Sequence, residues 1–471
     1  MAMGQRKRER QETFWVATNE LPQTPGHPFY ERLNKILDGQ GFDRFVEERC
    51  RKFYADKMGR PSLPPAIYFR LLLVGYFEGI DSERGIAWRV ADSMALRRFL
   101  GYELTDQTTD HSTLSRNRRL IDLETHEEVF VWVLQLLAKE KLLNGKTLGI
   151  DATTLEANAA LRSIVRRDTG EGYQEFLTRL AKASGIETPT REDLARIDKN
   201  RKNKGSNDDW AHPRDPDAKI TKMKDGRTHL AHKAEHAVDL KTGAVVSVTL
   251  QPANHGDTTS LTKTIEQADE NLVGVMTDEA ACENLSEQVL REAVTDKGYH
   301  SNAVLKGLRD CAIRTYISEP DRGRRNWAGK EEERDAVYAN RRRIRGGRGQ
   351  KLRKKRGEYV ERTFAHCYDT GGMRRTHLRE HPNILKRLLI HVAGFNLGLV
   401  MRSLFGVGTA RGFQGLCGRV LAFVWALWAA LRRTLLPRGP HRAIGGSGYY
   451  FEQSSPSTSP MLPNRCFTTG C

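Results

Sequence analysis

The 471-residue chain has little of what marks secreted, membrane or fibrous proteins. Its seven cysteines (Cys50, Cys282, Cys311, Cys367, Cys417, Cys466 and Cys471) are scattered, odd in number and form no Cys-x-x-Cys pair. That argues against a disulfide framework or a zinc ribbon and fits a reducing cytoplasm. The longest clean apolar run, Val420–Leu431, is too short to span a bilayer and reads as a packed helix. The opening MAMGQRKRERQETF is basic and has no apolar core of the kind a secretory signal needs. No internal repeat is present. Apolar residues make up 38% of the chain, enough with its 41 glycines for an ordinary globular interior. A disordered basic tail and a membrane bundle are both excluded.

Acidic charge is scarce, but only in one region. The chain carries a net +17, whereas residues 1–320 sum to −2 and residues 451–471 to zero. Residues 321–450 alone sum to +19. A basic block on an otherwise balanced protein is the electrostatic footprint of a polyanion partner, and nucleic acid fits it better than anionic lipid.

Residues 1–27 read as a basic N-terminal arm. From Pro28 to about Leu143 apolar residues recur at three- and four-residue spacing, as in YERLNKILD, AIYFRLLLVGYFEGI and EEVFVWVLQLLAKEKLL. Pro64-Pro65 opens one helix and Asp81-Ser82 caps the next. Residues 28–145 are therefore expected to form a helical DNA-binding domain containing a helix-turn-helix, with Arg116, Arg118 and Arg119 on a short helix. The character changes at Lys146. KTLGIDATTLEANA predicts a strand, THLAHKAEHAVDL and AVVSVTLQPAN a hairpin turned at Lys241-Thr242-Gly243, and AVTDKGYHS and IRTYIS two further strands. LTKTIEQADENLV, ENLSEQVLREA and NAVLKGLRD predict helices. Residues 160–225 are turn-rich and read as a surface insertion with one helix near Glu175–Lys182. Residues 319–357 read as a basic, Gly-punctuated insertion, before a helical pattern returns over 358–402. Residues 403–471 are expected to hold an apolar helix and a disordered tail.

Two aspartates occupy comparable places. Asp151 is expected to end the first strand and Asp296 a later one, where Lys297-Gly298-Tyr299 turns the chain. Carboxylates at the ends of neighbouring strands project into one crevice, the usual place for a site in an open α/β sheet. Held close together they repel unless a divalent cation bridges them, which implies Mg²⁺ or Mn²⁺. A third acid would complete a two-metal clamp of the kind used on phosphodiesters. Glu358 and Glu361 are the candidates, three residues apart on a helix. Taken singly, each of these acids also fits an ordinary cap or a solvated helix face.

The ordered set resembles the DDE transposases of bacterial insertion sequences. The segments that carry the resemblance are GIDATTLEANA, HKAEHAVDLKTGAVVSVTLQPANHGD, VTDKGYHS and YVERTFAHCYDTGGMRRTHLREHPNILKRLLIHVAGFNLGLVMR. RPSLPPAIYFRLLLVGYFEG and TTDHSTLSRNRR resemble that family's N-terminal domain. Together they cover residues 28–402. The resemblance implies an α/β fold, a ribonuclease-H-like mixed sheet with flanking helices over 146–402, preceded by the helical domain. It also implies that Asp151, Asp296 and Glu361 hold two Mg²⁺ (or Mn²⁺) ions and carry catalysis. Related enzymes often frame the glutamate as Tyr-x2-Arg-x3-Glu-x6-Lys. Around Glu361 that frame falls on Lys354, Gly357 and Tyr368, and around Glu358 on Lys351, Lys354 and Ala365. The frame chooses neither; Val-Glu-Arg-Thr-Phe favours Glu361, with Glu358 the alternative third acid.

Arg341–Arg356 holds ten Lys/Arg and no acid. Phosphate contacts are expected from Arg341, Arg342, Arg343, Arg345, Arg348, Lys351, Arg353, Lys354, Lys355 and Arg356, together with Lys297, Arg362, Arg116, Arg118 and Arg119. Trp327, among Arg324, Arg325 and Lys330, is expected to pack under the basic insert, base stacking being the alternative. His229, His232 and His236 are split between strand faces, which argues against a zinc site. His255-Gly256-Asp257 reads as a turn whose aspartate can approach the acids. The expected function is binding of an element's terminal inverted repeats, followed by metal-dependent DNA cleavage and strand transfer. The partners would be double-stranded element and target DNA, and the protein a homodimer or higher on DNA in the cytoplasm, associated with the nucleoid and with no membrane. A catalytically inactive, transposase-derived DNA-binding protein is the alternative. A polyanion- or membrane-surface-binding protein explains least, because it leaves the ordered acids without a role.

Overall fold

The computed structural model describes residues 26–412 except 56–61, 104, 202–204, 224–225, 322 and 324. The apolar run Val420–Leu431 and the tail lie outside the described residues.

Seven helices come first: α1 (Pro28–Gly39), α2 (Phe42–Cys50), α3 (Pro65–Glu78), α4 (Glu83–Ala91), α5 (Met94–Leu100), α6 (His111–Leu120) and α7 (Leu123–Lys139). Their starts follow local chemistry. Pro65 takes the first position of α3, where its missing N–H costs nothing. Ser82, Ser93, Asp110 and Asp122 accept hydrogen bonds from the first-turn N–H groups of α4, α5, α6 and α7. Helix α3 is buried from Ala66 to Phe77 apart from Ile67, so its lone cation needs partners. Arg70, 4% exposed, finds them in Asp38 and Asp43.

The remaining elements are β1 (Thr147–Glu156), β2 (Val165–Arg166), α8 (Tyr173–Ala183), α9 (Arg191–Asn200), β3 (Trp210–Ala211), β4 (Lys219–Lys222), β5 (Thr228–Asp239) and β6 (Val245–Pro252). Then follow α10 (Asp257–Met276), α11 (Glu279–Cys282), β7 (Glu292–Thr295), α12 (Asn302–Asp310), β8 (Arg314–Ile317), α13 (Glu331–Arg345), α14 (Gly347–Phe364) and α15 (His381–Phe405). The main sheet has six strands in the order β4-β5-β1-β7-β8, with β6 also paired to β5. β4 takes the first part of that edge of β5 and β6 the rest. β5 runs antiparallel to both β6 and β1, whereas β1, β7 and β8 run parallel. This is the ribonuclease-H-like mixed sheet with flanking helices that the resemblance implied.

The sheet is covered on both faces. Glu235 bonds Ser260 and Thr264 of α10, while the next residue, His236, bonds Thr363 of α14. Consecutive strand residues point to opposite faces, so α10 and α14 lie on opposite sides. One apolar core runs from Phe29 in α1 to Ala410, through both the helices and the sheet. The stretch His381–Gly412 is long and apolar enough to cross a membrane, but it is mostly buried. Its helix, α15, packs on α3, α7 and β6 as a core helix. Among the described residues Cys50, Cys282, Cys311 and Cys367 are free thiols.

Four local expectations need correction. β1 runs five residues past Asp151, because its antiparallel pairing with β5 continues to Glu156. The segment 160–225 holds two helices, the second capped by Thr190 and Asp193, over a small core around Trp210. The basic stretch 319–357 contains α13 and most of α14. The helix expected over ENLSEQVLREA does not form: α11 ends at Cys282, before it, and Ser286, Leu290 and Arg291 bond the backbone of residues 144–146 instead of one another.

Candidate active site and nucleic-acid interface

The parallel pairing of β1 and β7 is Thr147↔Glu292, Leu148↔Ala293 and Gly149↔Val294. Two residues further in that register, Asp151 stands opposite Asp296, where β7 has ended. A two-residue step keeps both on one sheet face. The Asp296 carboxylate accepts from Gly298 N–H at 2.8 Å and so caps the turn through Lys297–Tyr299. Asp151 Oδ1 accepts from Ala152 N–H at 2.9 Å, and Oδ2 accepts from Arg356 Nη1 at 2.6 Å. Burial lifts the Asp151 carboxyl above its ordinary range; Arg356 opposes the rise and the Asp296 charge adds to it. The two aspartates therefore act on each other.

Helix α14 crosses the face that carries Asp151, touching β1, β5, β7 and β8. Arg356, Val360, Thr363 and Phe364 make up its sheet side. At about 100° per residue, Glu358 points roughly 180° from the centre of that side and Glu361 only about 120° from it. Glu358 is tied to Arg362 at 2.7 Å. Glu361 is exposed, and its carboxylate takes part in no hydrogen bond or ion pair among the described residues. Glu361 thus stands nearer the sheet side in helix phase than Glu358, the alternative third acid. The helix ends in a π turn over Ala365–Thr370, whose Tyr368 hydroxyl pairs with His236 Nε2 at 2.6 Å.

Two mutually repelling hard-oxygen carboxylates, one of which already has a cation against it, are donors that suit a divalent ion. Among the described residues no three His, Cys, Asp or Glu side chains gather closely enough to hold one. The aspartate pair fits the ion; Glu361 is not brought against it.

A buried polar network supports the Asp296 turn from the α10 face. Lys233 Nζ donates to Asp257 at 2.6 Å and to Ser260 Oγ at 2.8 Å. Glu235, fully buried, accepts from Ser260 and Thr264 and from the Tyr299 hydroxyl at 2.7 Å. The Asp257 carboxylate lies so close to Gly298 that a Cβ there would overlap it. Lys233 and Glu235 escaped the sequence reading. Their signal was a pair of opposite charges, two apart, in the middle of a buried strand.

The basic residues divide by partner. Arg341 pairs with Glu319, Arg348 with Glu292 and Arg356 with Asp151. Arg343 donates to Thr315 and Arg353 to Ser318. Lys355 donates to the Leu240 carbonyl and Arg362 to Glu358. Arg342, Arg345, Lys351 and Lys354 are exposed with no such partner among the described residues, and Lys297 is exposed beside Asp296. In α6, Arg116 and Arg119 are exposed and bond only their own helix. Arg118 departs from expectation: it is 7% exposed and salt-bridged to Glu83 at 2.7 Å. Its carbonyl also accepts from Lys386 of α15, so it faces the interior. Trp327 packs on the core beneath Arg325. The three histidines part company, His229 toward Glu156, His232 toward Asp215 and His381, and His236 toward α14.

Two family models match the chain: a transposase domain (DUF772) over residues 18–120 and a transposase DDE domain over residues 183–397. Together with the fold they define the class, a transposase. More narrowly, the chain belongs to the DDE-type transposases of insertion sequences. The second match includes Asp296, Glu358 and Glu361, and Asp151 lies between the two matched segments. No curated protein and no solved structure matches the chain.

Proposed function

We propose that this transposase binds the terminal inverted repeats of its element and catalyses DNA cleavage and strand transfer with Asp151, Asp296 and Glu361. The observation that carries the reading is the strand register that sets Asp151 opposite Asp296. These acids would hold Mg²⁺ or Mn²⁺, two ions being expected. When bound, such ions supply Lewis-acid stabilisation of the charge that develops on a phosphodiester. The protein's own part is positioning. Asp296 fixes its turn through Gly298, the Lys233–Asp257 pair buttresses that turn, and Arg342, Arg345, Lys351 and Lys354 hold the DNA backbone. The helices of residues 28–145 would read the inverted repeat, with Arg116 and Arg119 outward. Two DNA ends must meet, which favours a homodimer or higher assembly on DNA, and a nucleoid-associated, cytoplasmic protein.

Cleavage of a duplex bearing the element's end, with Mg²⁺, tests this. Asp151→Asn and Asp296→Asn should keep gel-shift affinity and lose nicking and joining by at least about a hundredfold. Glu361→Gln should match them, while Glu358→Gln cuts normally. Normal nicking by either aspartate variant would sink the assignment. The second reading, an inactive DNA-binding descendant, draws on Arg356 already neutralising Asp151 and on the absence of a gathered acid triad among the described residues. It requires a wild-type protein that shifts the duplex and never cuts it.

A further inference from the structure

Of the ten cations in Arg341–Arg356, one reaches the aspartate pair. Arg356 lays its stem across β1: a Cβ at Gly149 would stand 3.1 Å from Arg356 Cγ and 2.6 Å from Leu240. A glycine two residues before Asp151 therefore keeps open the track that the arginine follows. The side chain is 16% exposed, and only Nη1 is engaged, on Asp151 Oδ2. The other guanidinium nitrogens make no hydrogen bond among the described residues. The arginine is thus stacked into the fold along its stem, holds one carboxylate oxygen by one nitrogen, and has a planar pair of donors left for an oxyanion.

The same carboxylate would be needed by a divalent ion. A guanidinium on Asp151 Oδ2 and a metal ion on that carboxylate would compete for its charge, so each would weaken the other. A phosphodiester beside the site offers the guanidinium a replacement anion. We propose that Arg356 is an exchangeable counter-ion. It neutralises Asp151 in the DNA-free protein and transfers to a DNA phosphate when the duplex enters, freeing Asp151 for the metal. The inference rests on Asp151 being a metal-holding acid. It adds that metal loading and DNA binding are coupled through one side chain, and coupling is reciprocal. The free protein would then hold its metal weakly.

The test is Mn²⁺ binding to the full-length protein, followed by loss of the free-ion paramagnetic resonance signal, with and without a duplex carrying the element's end. In the wild type, DNA should tighten Mn²⁺ binding about tenfold or more. Arg356→Gln should bind Mn²⁺ about tenfold tighter than wild type without DNA, and gain much less from adding it. Arg356→Lys, which keeps the charge but not the planar fork, should fall between. Wild-type Mn²⁺ affinity indifferent to DNA overturns the proposal without any variant. Arg356→Gln binding no tighter than wild type overturns it too. Asp151→Asn separates the two levels. If that variant binds Mn²⁺ like wild type, the acid assignment itself fails. If it loses Mn²⁺ while Arg356→Gln leaves affinity and coupling unchanged, only the counter-ion role fails.

Discussion

Arg116, Arg118 and Arg119 are three arginines on a ten-residue helix, and the sequence treats them alike. The fold does not. Arg118 is closed over by Glu83, 35 residues earlier, and by Lys386 of α15, on the far side of the sheet domain in sequence. Removing Arg118 strands Glu83, 15% exposed at its side chain, without its cation. Arg118→Ala should therefore cost about 3 kcal/mol of stability, seen as a lower urea midpoint. Arg116→Ala and Arg119→Ala should leave that midpoint in place and weaken binding to the inverted repeat. An Arg118→Ala protein as stable as wild type would return Arg118 to the surface. Gly298 makes the same point at the acid pair. Its Cβ would overlap Asp257, so Gly298→Ala must push the Asp296 turn or break the Lys233–Asp257 pair. A shift of about 1 Å at a reacting centre can cost about a hundredfold in rate. Gly298→Ala should lose cleavage on that scale while gel-shift affinity holds.

Helices and strands were legible where their period was clean. α3, α7, β5 and β6 announced themselves through their residue spacing, and so did the strands that carry Asp151 and lead to Asp296, although β1 runs on past Asp151 to Glu156. α14 was hidden at its start. Seven of its first ten residues, from Gly347 to Arg356, are Gly, Lys or Arg other than the partnered Arg356, so its apolar stripe is thin until Val360. Its inward residues are recognised only by partners from distant strands, such as Asp151 and Leu240. That sorting predicts how the basic helices use their charge. Neutralising Arg342, Arg345, Lys351 and Lys354 together should lower the slope of log affinity against log salt by up to about 3.6, at roughly 0.9 per phosphate contact. Neutralising Arg341, Arg343 and Arg348 should instead lower stability, because their partners Glu319, Thr315 and Glu292 lie within the fold. Equal effects of the two sets on the salt slope would mean that all these cations meet DNA.

Across the whole molecule, the +17 and the buried interior act on different axes. The surplus charge governs affinity and salt dependence, whereas acid sensitivity is set by histidines that carry no charge in the fold. His126 sits between the Asp122 carbonyl and the Tyr68 hydroxyl. His236 is held by Thr363 and Tyr368; Thr363 gives its own proton to the Val360 carbonyl, so it accepts from Nδ1–H and leaves Nε2 to accept from Tyr368. His391 reaches the Gly371 carbonyl through Nε2. Burial pushes each of the three down to about 3. A histidine whose pKa is lowered by folding gains a proton on unfolding at any pH between the folded value and the unfolded one near 6.5. Stability from these sites is therefore full above that pH and lost as acidity increases toward 3. Each site removes about 1.4 kcal/mol per pH unit well inside the window, and the three together about 4. Urea midpoints should hold level from pH 8 to 7 and drop steeply between about pH 6 and 5, ahead of most carboxylate protonation. His126→Gln, which stays neutral and keeps an amide to bond Tyr68 or Asp122, should flatten that drop by about 1.4 kcal/mol per pH unit. A midpoint independent of pH down to about 5 would mean that these rings take up protons in place.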